Sequence, residues 1–574
     1  MINLTIDGIK TTVPEGSTIL EAAAGIGIDI PTLCYHPDQV VTANCRVCVC
    51  EIEGNHLLQP ACSQPVFEGM TVKTRSPRVI EARKTLLELI LSHHPQDCLT
   101  CIRNKSCELQ DLADEYLIRD LPFEAKTRGL GKDNSTPSLF RDNDKCILCR
   151  RCIEACNVVQ TVGALGIEKR GHESMVVPTL GGTLADSPCV MCGQCVHACP
   201  VGAIGEVENI DKLLAAIADP DKIVVTQIAP AVRLALGEEI GMETGALDME
   251  VFVAGLRQIG FDYVLHTNFT ADLTIMEEGS ELLQRLTEGG TLPMFTSCSP
   301  GWVVFCETFF PDLLDHLSSC KSPQQMFGAL AKTYWAEKME IDPSKIVSVS
   351  IMPCIAKKFE AQRPEMNSSG YQDVDIVLTT REVGKLLRMT GLDFEQLTPS
   401  KFDSWMGSYT GAGVIFGATG GVMEAALRTV YEIVTKRELE DLNFEFARGF
   451  DGIKHAEIDL DGTVVKVAIA HSLAHARTLM EQVRAGECPY HFIEVMACPG
   501  GCIGGGGQPY TKTNTKRIER IKAIYLEDEK MTLRKSHDNP EVKILYEEFL
   551  HEPLGHKSHE LLHTHYKVKP KKAL

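Results

Sequence analysis

Cysteine spacing constrains this chain of 574 residues more than any other feature. A C-x2-C-x2-C-x3-C run occurs twice, at residues 146–156 and 189–199, and Pro200 follows the second run. Zinc bound by C-x2-C pairs would leave the third cysteine of each run without a purpose. The repeated run therefore favours iron-sulfur clusters over zinc.

The ligand sets follow from the way two-cluster bacterial ferredoxins use this run. In those proteins the fourth cysteine of each run binds the other cluster. One [4Fe-4S] cluster is therefore predicted on Cys146, Cys149, Cys152 and Cys199. The second is predicted on Cys189, Cys192, Cys195 and Cys156.

Two looser sets of ligands precede these runs. The first is a plausible site for one [2Fe-2S] cluster and consists of Cys34, Cys45, Cys48 and Cys62. Cys50 is a rival to Cys48, because alternate residues of a strand share a face. The second set is His94, Cys98, Cys101 and Cys107, which suits either zinc or a third [4Fe-4S] cluster. Beside the other cluster motifs, the cubane is the better prediction.

The chain divides into unlike halves, and a multidomain α+β and α/β fold is expected. Sixteen of the 23 cysteines precede residue 200. The predicted parts are a small β-grasp ferredoxin-like domain (1–78), a helical [4Fe-4S] module with one histidine and three cysteine ligands (79–125), a 2[4Fe-4S] ferredoxin-like domain (139–209), a large two-lobed α/β catalytic domain (210–510) and a C-terminal helical tail packed on it (511–574). The tail is charged and rich in histidine, and a peripheral helical segment is expected there rather than a metal site.

Composition and charge narrow the possible partners and the compartment. A net charge of -20 argues against nucleic acid, whose phosphates need a basic surface. No run approaches the ~18 apolar residues of a membrane helix, and no secretory signal is visible at the start. We therefore expect a cytoplasmic protein in which closely spaced cysteines bind metal rather than form disulfides.

The cysteines of the second half are isolated, and each lies in an unusual local sequence. They occur in Thr296-Ser-Cys-Ser-Pro-Gly-Trp302, Met352-Pro-Cys354 and Glu494-x3-Cys498-Pro-Gly-Gly-Cys502. Proline and glycine forbid a regular helix in the last segment, so its two cysteines should project from a loop. Each cysteine alone could be an inert buried thiol, but the three segments together indicate a site.

These three segments resemble the signature motifs of iron-only ([FeFe]) hydrogenases, and the modules before them resemble the long members with four accessory clusters. The likeness covers essentially the whole chain. It implies an active-site H-cluster, in which a [4Fe-4S] cubane is joined through a cysteine thiolate to a two-iron subsite with CO, cyanide and dithiolate ligands. By resemblance, Cys354, Cys498 and Cys502 bind the cubane, and Cys502 is the bridge.

Further site residues are carried over from the family by motif. Glu278, Glu281 and Ser318 would continue a proton path outward from Cys298, and Lys357 would hydrogen-bond a cyanide. The alternative for the two glutamates is a solvated helix face with an ion pair from Glu281 to Arg285. The remaining predicted residues of the pocket are Ala229, Pro230, Gln324, Met352, Pro353, Phe416 and Met496. Ala231 stands where many members have serine, so one cyanide hydrogen bond is expected to be missing.

One departure from the family pattern concerns the first motif. The family usually has adjacent cysteines, of which the first relays protons and the second binds the cubane, whereas this chain has Cys298-Ser299. Serine oxygen is a poor match to cubane iron. Either Ser299 ligates through oxygen or leaves an iron to another donor, with Cys298 as the relay, or Cys298 is the ligand and Ser299 lies on the proton path.

The resemblance implies reversible reduction of protons to dihydrogen, fed with electrons by the accessory clusters. The first 210 residues also resemble a subunit of respiratory NADH dehydrogenase, so a non-catalytic electron carrier is one rival. A cluster-assembly protein related to hydrogenases is another. The glycine-rich runs at 417–421 and 504–507 are not dinucleotide fingerprints. Ferredoxin or a flavin-bearing NAD(P)H subunit is therefore the expected electron partner, and an electron-bifurcating complex is one possibility.

Overall fold

The computed structural model describes residues 1–124, 128–179, 181–511 and 514–569, except for the side chain of His172. The predicted boundaries at 125 and 574 lie outside these residues. The chain divides into two compact units. Unit 1 comprises 1–159, 163–187 and 198–205, and unit 2 comprises 160–162, 188–197 and 206 to the C-terminus. Among the described residues, none of the helices combines the length and the apolar character needed to cross a bilayer.

Unit 1 begins with a five-stranded sheet of order β2-β1-β5-β3-β4. Its strands are β1 (Ile2–Ile6), β2 (Ile9–Val13), β3 (Val49–Ile52), β4 (Gln59–Pro60) and β5 (Met70–Lys73). Helix α1 (Ile19–Gly25) begins where Thr18 and Glu21 cap each other's backbone N–H groups. Its Ile19, Ala22 and Ala23 pack against the sheet, so this small domain has its own core.

The rest of unit 1 consists of short elements. They are α2 (Pro77–Leu91), α3 (Glu108–Glu115), β6 (Lys132–Asp133), β7 (Leu139–Asp142), α4 (Arg151–Glu154), β8 (Leu165–Glu168), β9 (Met175–Pro178) and β10 (Ile204–Glu206). Strand β6 pairs antiparallel with β7, and β8 with β9. Short elements joined by loops leave many backbone positions from which cysteines can project.

Unit 2 contains two four-stranded sheets of largely parallel strands. The first has the order β12-β11-β14-β15 and consists of β11 (Ile223–Ile228), β12 (Tyr263–His266), β14 (Ile346–Met352) and β15 (Ile376–Thr379). The second has the order β13-β18-β17-β16 and consists of β13 (Met294–Phe295), β16 (Ile453–Leu460), β17 (Thr463–His471) and β18 (Phe492–Met496). Strands β11, β14 and β18 are almost wholly buried, as parallel strands covered by helices are.

Helices surround these sheets. The first eight are α5 (Gln194–Ala198), α6 (Ile210–Ala218), α7 (Pro230–Glu239), α8 (Met249–Ile259), α9 (Thr267–Gln284), α10 (Pro300–Phe309), α11 (Pro323–Ala331) and α12 (Tyr334–Lys338). The others are α13 (Ala356–Glu360), α14 (Thr380–Thr390), α15 (Gly411–Ile415), α16 (Gly421–Thr435), α17 (Leu473–Ala485), α18 (Asn514–Lys530), α19 (Pro540–Leu545) and α20 (His556–Leu562). The predicted multidomain α+β and α/β fold is confirmed.

The C-terminal tail corrects one expectation. Ile524, Leu545 and Leu562 of α18–α20 are completely buried, and they belong to the same apolar clusters as residues of α9, α11 and α16. The expected peripheral position is therefore wrong. These helices are amphipathic: charged residues occupy their outer faces, and an apolar stripe on the inner faces completes the core of unit 2.

Candidate active site

Loops that follow the carboxyl ends of β11, β13, β14 and β18 surround a cavity of about 80 Å³ in unit 2. Ligand sites of α/β proteins lie at these ends of the strands. All three cysteine segments of the second half contribute to the wall, with Cys298, Ser299, Cys354, Cys498 and Cys502. Cysteine segments up to about 200 positions apart in the sequence therefore meet at one site.

The thiols of this wall are held away from bulk water. Burial raises the pKa of Cys354 and Cys498, and it raises that of Cys502 to about 12. An unoccupied thiol would therefore stay protonated, whereas iron takes the thiolate and compensates its charge. Three such thiols around a mainly apolar cavity fit a bound cubane cluster.

Glycine backbone shapes the loop that carries Cys498 and Cys502. Gly501 has φ +94°, and a Cβ there would lie 2.6 Å from the backbone nitrogen of Thr419. The backbone next to Thr419 is held by Glu494 of β18. The buried carboxylate of Glu494 accepts hydrogen bonds from the N–H groups of Gly420 (2.6 Å) and Met423 (2.7 Å). These contacts place the loop residues 417–420 against the cysteine loop.

All seven residues predicted for the pocket line this cavity. They are Ala229, Pro230, Gln324, Met352, Pro353, Phe416 and Met496. Ala231 lines it as well.

Lys357 reaches the cavity from the first turn of α13. Its Nζ donates to the backbone oxygen of Cys298 (3.2 Å) and contacts Glu360 Oε2 (2.9 Å). The same carboxylate oxygen accepts from Gln324 Nε2 (3.0 Å) and Ser322 Oγ (2.9 Å). Glu360 thus fixes the positions of two wall residues, although it does not line the cavity itself.

The predicted acid residues extend from Cys298 along α9. Glu278 is buried, and the Ser318 hydroxyl and the backbone N–H of Ser297 are the polar groups that face its carboxyl. Burial, together with the charge of Glu281, raises the pKa of Glu278 to about 8. Glu281 Oε2 accepts from Ser318 Oγ (2.8 Å), and its Oε1 contacts Arg285 Nη2 (2.6 Å). The ion pair with Arg285 is present, but the solvated helix face is not, since both glutamates are buried.

The Cys298 thiol lies on the side of these acids. Burial raises its pKa well above the usual range, and the charge of Glu278 adds to the effect. Ser299 Oγ instead accepts a hydrogen bond from the N–H of Ala497 (3.3 Å), the residue before Cys498. Cys298 thus lies near Glu278 as well as near Cys502, whereas the hydroxyl of Ser299 is bonded to the backbone of the cysteine loop.

In unit 1, the first ligand set forms two pairs. The thiols of Cys34 and Cys45 share a hydrogen bond that lowers the pKa of Cys34 to about 5, and a bond to Cys62 lowers the pKa of Cys48 in the same way. Cys50 instead donates its thiol to the backbone oxygen of Gln59 (3.3 Å). Cys48 precedes β3, so the strand alternation that made Cys50 its rival does not apply. Two thiol pairs suit a two-iron cluster, in which each iron takes two ligands.

The second ligand set of unit 1 lies around His94. This histidine is buried, its Nδ1 has no partner among the described residues, and burial lowers its pKa, so the ring is neutral as a ligand must be. Burial raises the pKa of Cys107, and the charge of Cys101 adds to the effect. Cys98 is exposed. Three of the four predicted ligands thus lie in partly or wholly buried positions.

The first cubane set of the repeated runs meets at one place. Cys146, Cys149, Cys152 and Cys199 line one small enclosed cavity in unit 1. The remaining predicted cubane has ligands in both units, with Cys156 in unit 1 and residues 189–195 in unit 2, so this shared ligand set stays a prediction. Within unit 2, Cys192 lines the catalytic cavity, and Gln194 donates to the backbone oxygen of Gly504 (3.0 Å).

The matching family models cover most of the chain. They are "2Fe-2S iron-sulfur cluster binding domain" (1–77), "NADH-ubiquinone oxidoreductase-G iron-sulfur binding region" (83–122), "4Fe-4S dicluster domain" (145–203), "Iron only hydrogenase large subunit, C-terminal domain" (222–506) and "Iron hydrogenase small subunit" (514–569). The small-subunit domain at 514–569 was not predicted, because only the charge and histidine content of the tail were considered.

Similar proteins span the whole chain. The NADP-reducing hydrogenase subunit HndD of Solidesulfovibrio fructosivorans is 51% identical over 99% of both chains. Iron hydrogenase 1 of Clostridium pasteurianum is 40% identical over 99% of this chain and 100% of its own. A solved variant of the [FeFe]-hydrogenase HydA1 of Chlamydomonas reinhardtii is 45% identical, covering 63% of this chain and 99% of its own, with a TM-score of 0.57.

Thiol sets for accessory clusters and a thiol-lined cavity at the ends of parallel strands define an iron-sulfur oxidoreductase. The full-length matches are to hydrogenases, whereas a cytosolic Fe-S cluster assembly factor of Xenopus tropicalis is 31% identical over only 60% of this chain. The chain belongs to the iron-only hydrogenase family, as predicted, and is an [FeFe] hydrogenase.

Proposed function

We propose that this enzyme interconverts protons and dihydrogen at the cavity of unit 2, by the reaction 2H⁺ + 2e⁻ ⇌ H2. The meeting of Cys354, Cys498 and Cys502 beside Lys357 carries the proposal. An H-cluster bound there would supply an open iron at which protons and electrons combine. Cys354, Cys498 and Cys502 would bind its cubane, with Cys502 as the bridge to the two-iron subsite.

The wall residues would hold the two-iron subsite. Lys357, anchored by Glu360, would donate a hydrogen bond to one cyanide, and the backbone at Ala229 and Pro230 would serve the other. Met352, Pro353, Phe416 and Met496 exclude water from the site, while Gln324 is held by Glu360 and Ser350. A dry cavity strengthens each of these polar contacts.

Protons would reach the cavity through Cys298, Glu278, Ser318 and Glu281. Glu278 has the property that this route needs, because a pKa of about 8 lets it both donate and recover a proton near neutrality. The hydrogen bond from Ser318 to Glu281 continues the route, and Arg285 marks its outer end.

The neighbours of Cys298 and Ser299 favour the first of the two hypotheses about the altered motif. Cys298 lies beside Glu278 and would be the proton relay. Ser299 lies beside the cysteine loop and would face the cubane, either as an oxygen ligand or with its iron bound to another donor.

Electrons would enter through the accessory clusters. We propose one [2Fe-2S] cluster on Cys34, Cys45, Cys48 and Cys62 and three [4Fe-4S] clusters on the other predicted sets. Since Cys192 lines the catalytic cavity, the cluster on Cys189, Cys192, Cys195 and Cys156 would be the donor to the cubane.

The electron partner is proposed to be ferredoxin or a flavin-bearing NAD(P)H subunit, in a multisubunit cytoplasmic complex. The 51% identity to a subunit named as NADP-reducing supports this proposal. The chain itself lacks a dinucleotide fingerprint.

The test uses the full-length, matured chain under anaerobic conditions. Reduced ferredoxin or viologen should drive H2 evolution by the chain alone, whereas NADPH should drive it only after co-purified partner subunits are added. Absence of H2 evolution with all clusters bound would contradict the catalytic proposal. NADPH-driven evolution by the chain alone would contradict the partner proposal.

A further inference from the structure

A group of three potential metal ligands lies outside the catalytic cavity. Glu281, Cys320 and His563 are all buried, and their ligand atoms lie within 4.8 Å of one another. Cys320 Sγ is 3.9 Å from Glu281 Oε2 and 4.0 Å from His563 Nδ1. Bond lengths of about 2.0–2.3 Å give donor separations of about 3.4–3.6 Å in a tetrahedral zinc site. The two sulfur distances therefore need to close by only a few tenths of an ångström.

Backbone pairing holds two of these ligands in place. Cys320 and His563 are partners in an antiparallel bridge. The N–H of Lys321 donates to Leu562 O and the N–H of Thr564 donates to Ser319 O, both at 2.8 Å. Since Glu281 projects from α9 into the same place, three separate parts of the chain converge on the group.

The Nε2 atom of His563 contacts a carboxylate, as the non-ligating nitrogen of a metal-bound histidine usually does. His563 Nε2 contacts the carboxylate of Glu277 at 3.1 Å, and that carboxylate also accepts from Tyr546 Oη and the N–H of Leu554. A carboxylate behind a histidine fixes its orientation and raises its basicity as a ligand. The Nδ1 atom is then directed at Cys320 and at Ser319 Oγ (2.8 Å).

The charge around the group favours a divalent cation. The carboxylates of Glu277, Glu278 and Glu281 all lie close enough to the Cys320 thiol to act on it electrostatically. Arg285 contacts Oε1 of Glu281 and offsets part of this negative charge. Thiolate, imidazole and carboxylate together form a donor set typical of zinc.

An exposed imidazole adjoins the group. His559 is exposed, and its ring centroid lies 4.4 Å from that of His563.

We propose that Glu281, Cys320 and His563 form a zinc site, with water as the fourth ligand, whose occupation inhibits the enzyme. Zinc takes Glu281 Oε2, the oxygen to which Ser318 donates, so Glu281 can no longer pass protons. The site itself stands independently of the catalytic proposal, whereas the inhibition rests on Glu281 being part of the proton route.

The test titrates Zn²⁺ into the full-length protein with its clusters bound, and compares Cys320→Ser and His563→Gln with Cys488→Ser. Cys488 is a half-buried thiol outside the group and is the matched control. Wild type and the control should retain one zinc per chain after desalting, and zinc-edge X-ray absorption should give one sulfur ligand at about 2.3 Å. The two site variants should bind zinc at least tenfold more weakly. Iron content and melting temperature establish that each variant is folded.

Equal zinc binding by wild type and both site variants, or a zinc spectrum without a sulfur ligand, would overturn the site. A zinc anomalous peak in crystals of the wild type provides an independent check of its position. Inhibition is measured separately as H2 evolution, which zinc should lower in wild type and the control but not in the site variants. Zinc bound at the site without inhibition would remove Glu281 from the proton route and leave the metal site standing.

Discussion

Glu278 is the residue on which the proposed proton route depends most. The change Glu278→Gln preserves its shape and removes the titratable proton. Because general acid-base groups contribute about 10²–10⁴ to rates, H2 evolution should fall at least about 100-fold. The measurement uses reduced viologen as donor, with iron content and electron paramagnetic resonance as evidence that the clusters remain.

The matched control for this change is Glu288→Gln. Glu288 lies on the exposed surface just beyond the same helix. Its substitution should leave the rate unchanged. Equal rates for Glu278→Gln and wild type would remove Glu278 from the route.

The raised pKa of Glu278 also predicts how stability depends on pH. An unfolded glutamate loses its proton near pH ~4.3, whereas the folded group keeps it to about pH 8. Between these values the folded state binds more protons, so this group lowers stability as pH rises. The melting temperature of Glu278→Gln should exceed that of wild type by a difference that grows as the pH rises from about 5.5 to 8.5. A difference in melting temperature that is constant over this range would contradict the assignment.

Cys298 and Ser299 can be separated by their effects on iron. If Cys298 is the relay, Cys298→Ala should keep the cubane and lose at least about 100-fold in H2 evolution. Ser299→Ala should instead alter the spectrum or the iron content of the cubane. Loss of the cubane in Cys298→Ala would favour the alternative, in which Cys298 is the ligand.

At the scale of elements, a buried ion network attaches the tail helix α18 to α16. Arg428 donates to both oxygens of Asp528 (2.9 and 2.8 Å) and to Glu424 (2.6 Å). Asp528→Asn removes one charge from this buried set, which typically costs about 3–5 kcal/mol of unfolding free energy. We expect a lower melting temperature, measured on protein with its clusters bound.

The control for this change is Asp461→Asn. Its ion pair with Arg437 is exposed, and exposed pairs contribute about 0–1 kcal/mol. A similar melting temperature for the two variants would show that the buried network does not hold the tail.

Strands and helices could be predicted from the sequence where the spacing of apolar residues follows a single pattern. The apolar runs at 222–228 and 346–351 predict strands, and their ends lie within a residue of those of β11 and β14. The pattern over 323–339 predicts one helix, but the structure has two, because Thr333 adopts φ -127° and ψ -91° between them. The sequence around 333 contains no proline or glycine that would have signalled this break.

The candidate site was predictable where its chemistry is local. Cysteines in unusual short segments, together with family resemblance, indicated its thiols. Glu360 was not predicted, and Glu494 was named in its motif without a role, because each is a single acid whose partners come together only in the fold. Glu494 contacts residues more than 70 positions away, and no spacing rule links them. His563 was missed for the same reason, since its partners Cys320 and Glu277 lie far from it in the sequence.

At the scale of the whole molecule, the accessory clusters are proposed to carry electrons from a partner toward the catalytic cavity. Cys62→Ser should remove the two-iron cluster, since each iron needs both thiols of its pair. Viologen can reduce the remaining clusters directly, so viologen-driven H2 evolution should persist while NADPH-driven evolution by the complex falls. Iron analysis and electron paramagnetic resonance measure the loss.

Cys50→Ser is the control within the same small domain. Its thiol contacts the backbone of Gln59 rather than another cysteine. The two-iron cluster should therefore survive this change, and its loss would show that Cys50 is a ligand.

The central claim is that the cavity of unit 2 binds an H-cluster. Infrared spectroscopy of the purified, matured protein tests it most directly, because CO and cyanide on iron absorb where protein does not. Both sets of bands are expected in wild type, and both should be lost when the proposed bridge is changed in Cys502→Ala. A matured protein that contains its accessory clusters but shows neither CO nor cyanide bands would contradict it.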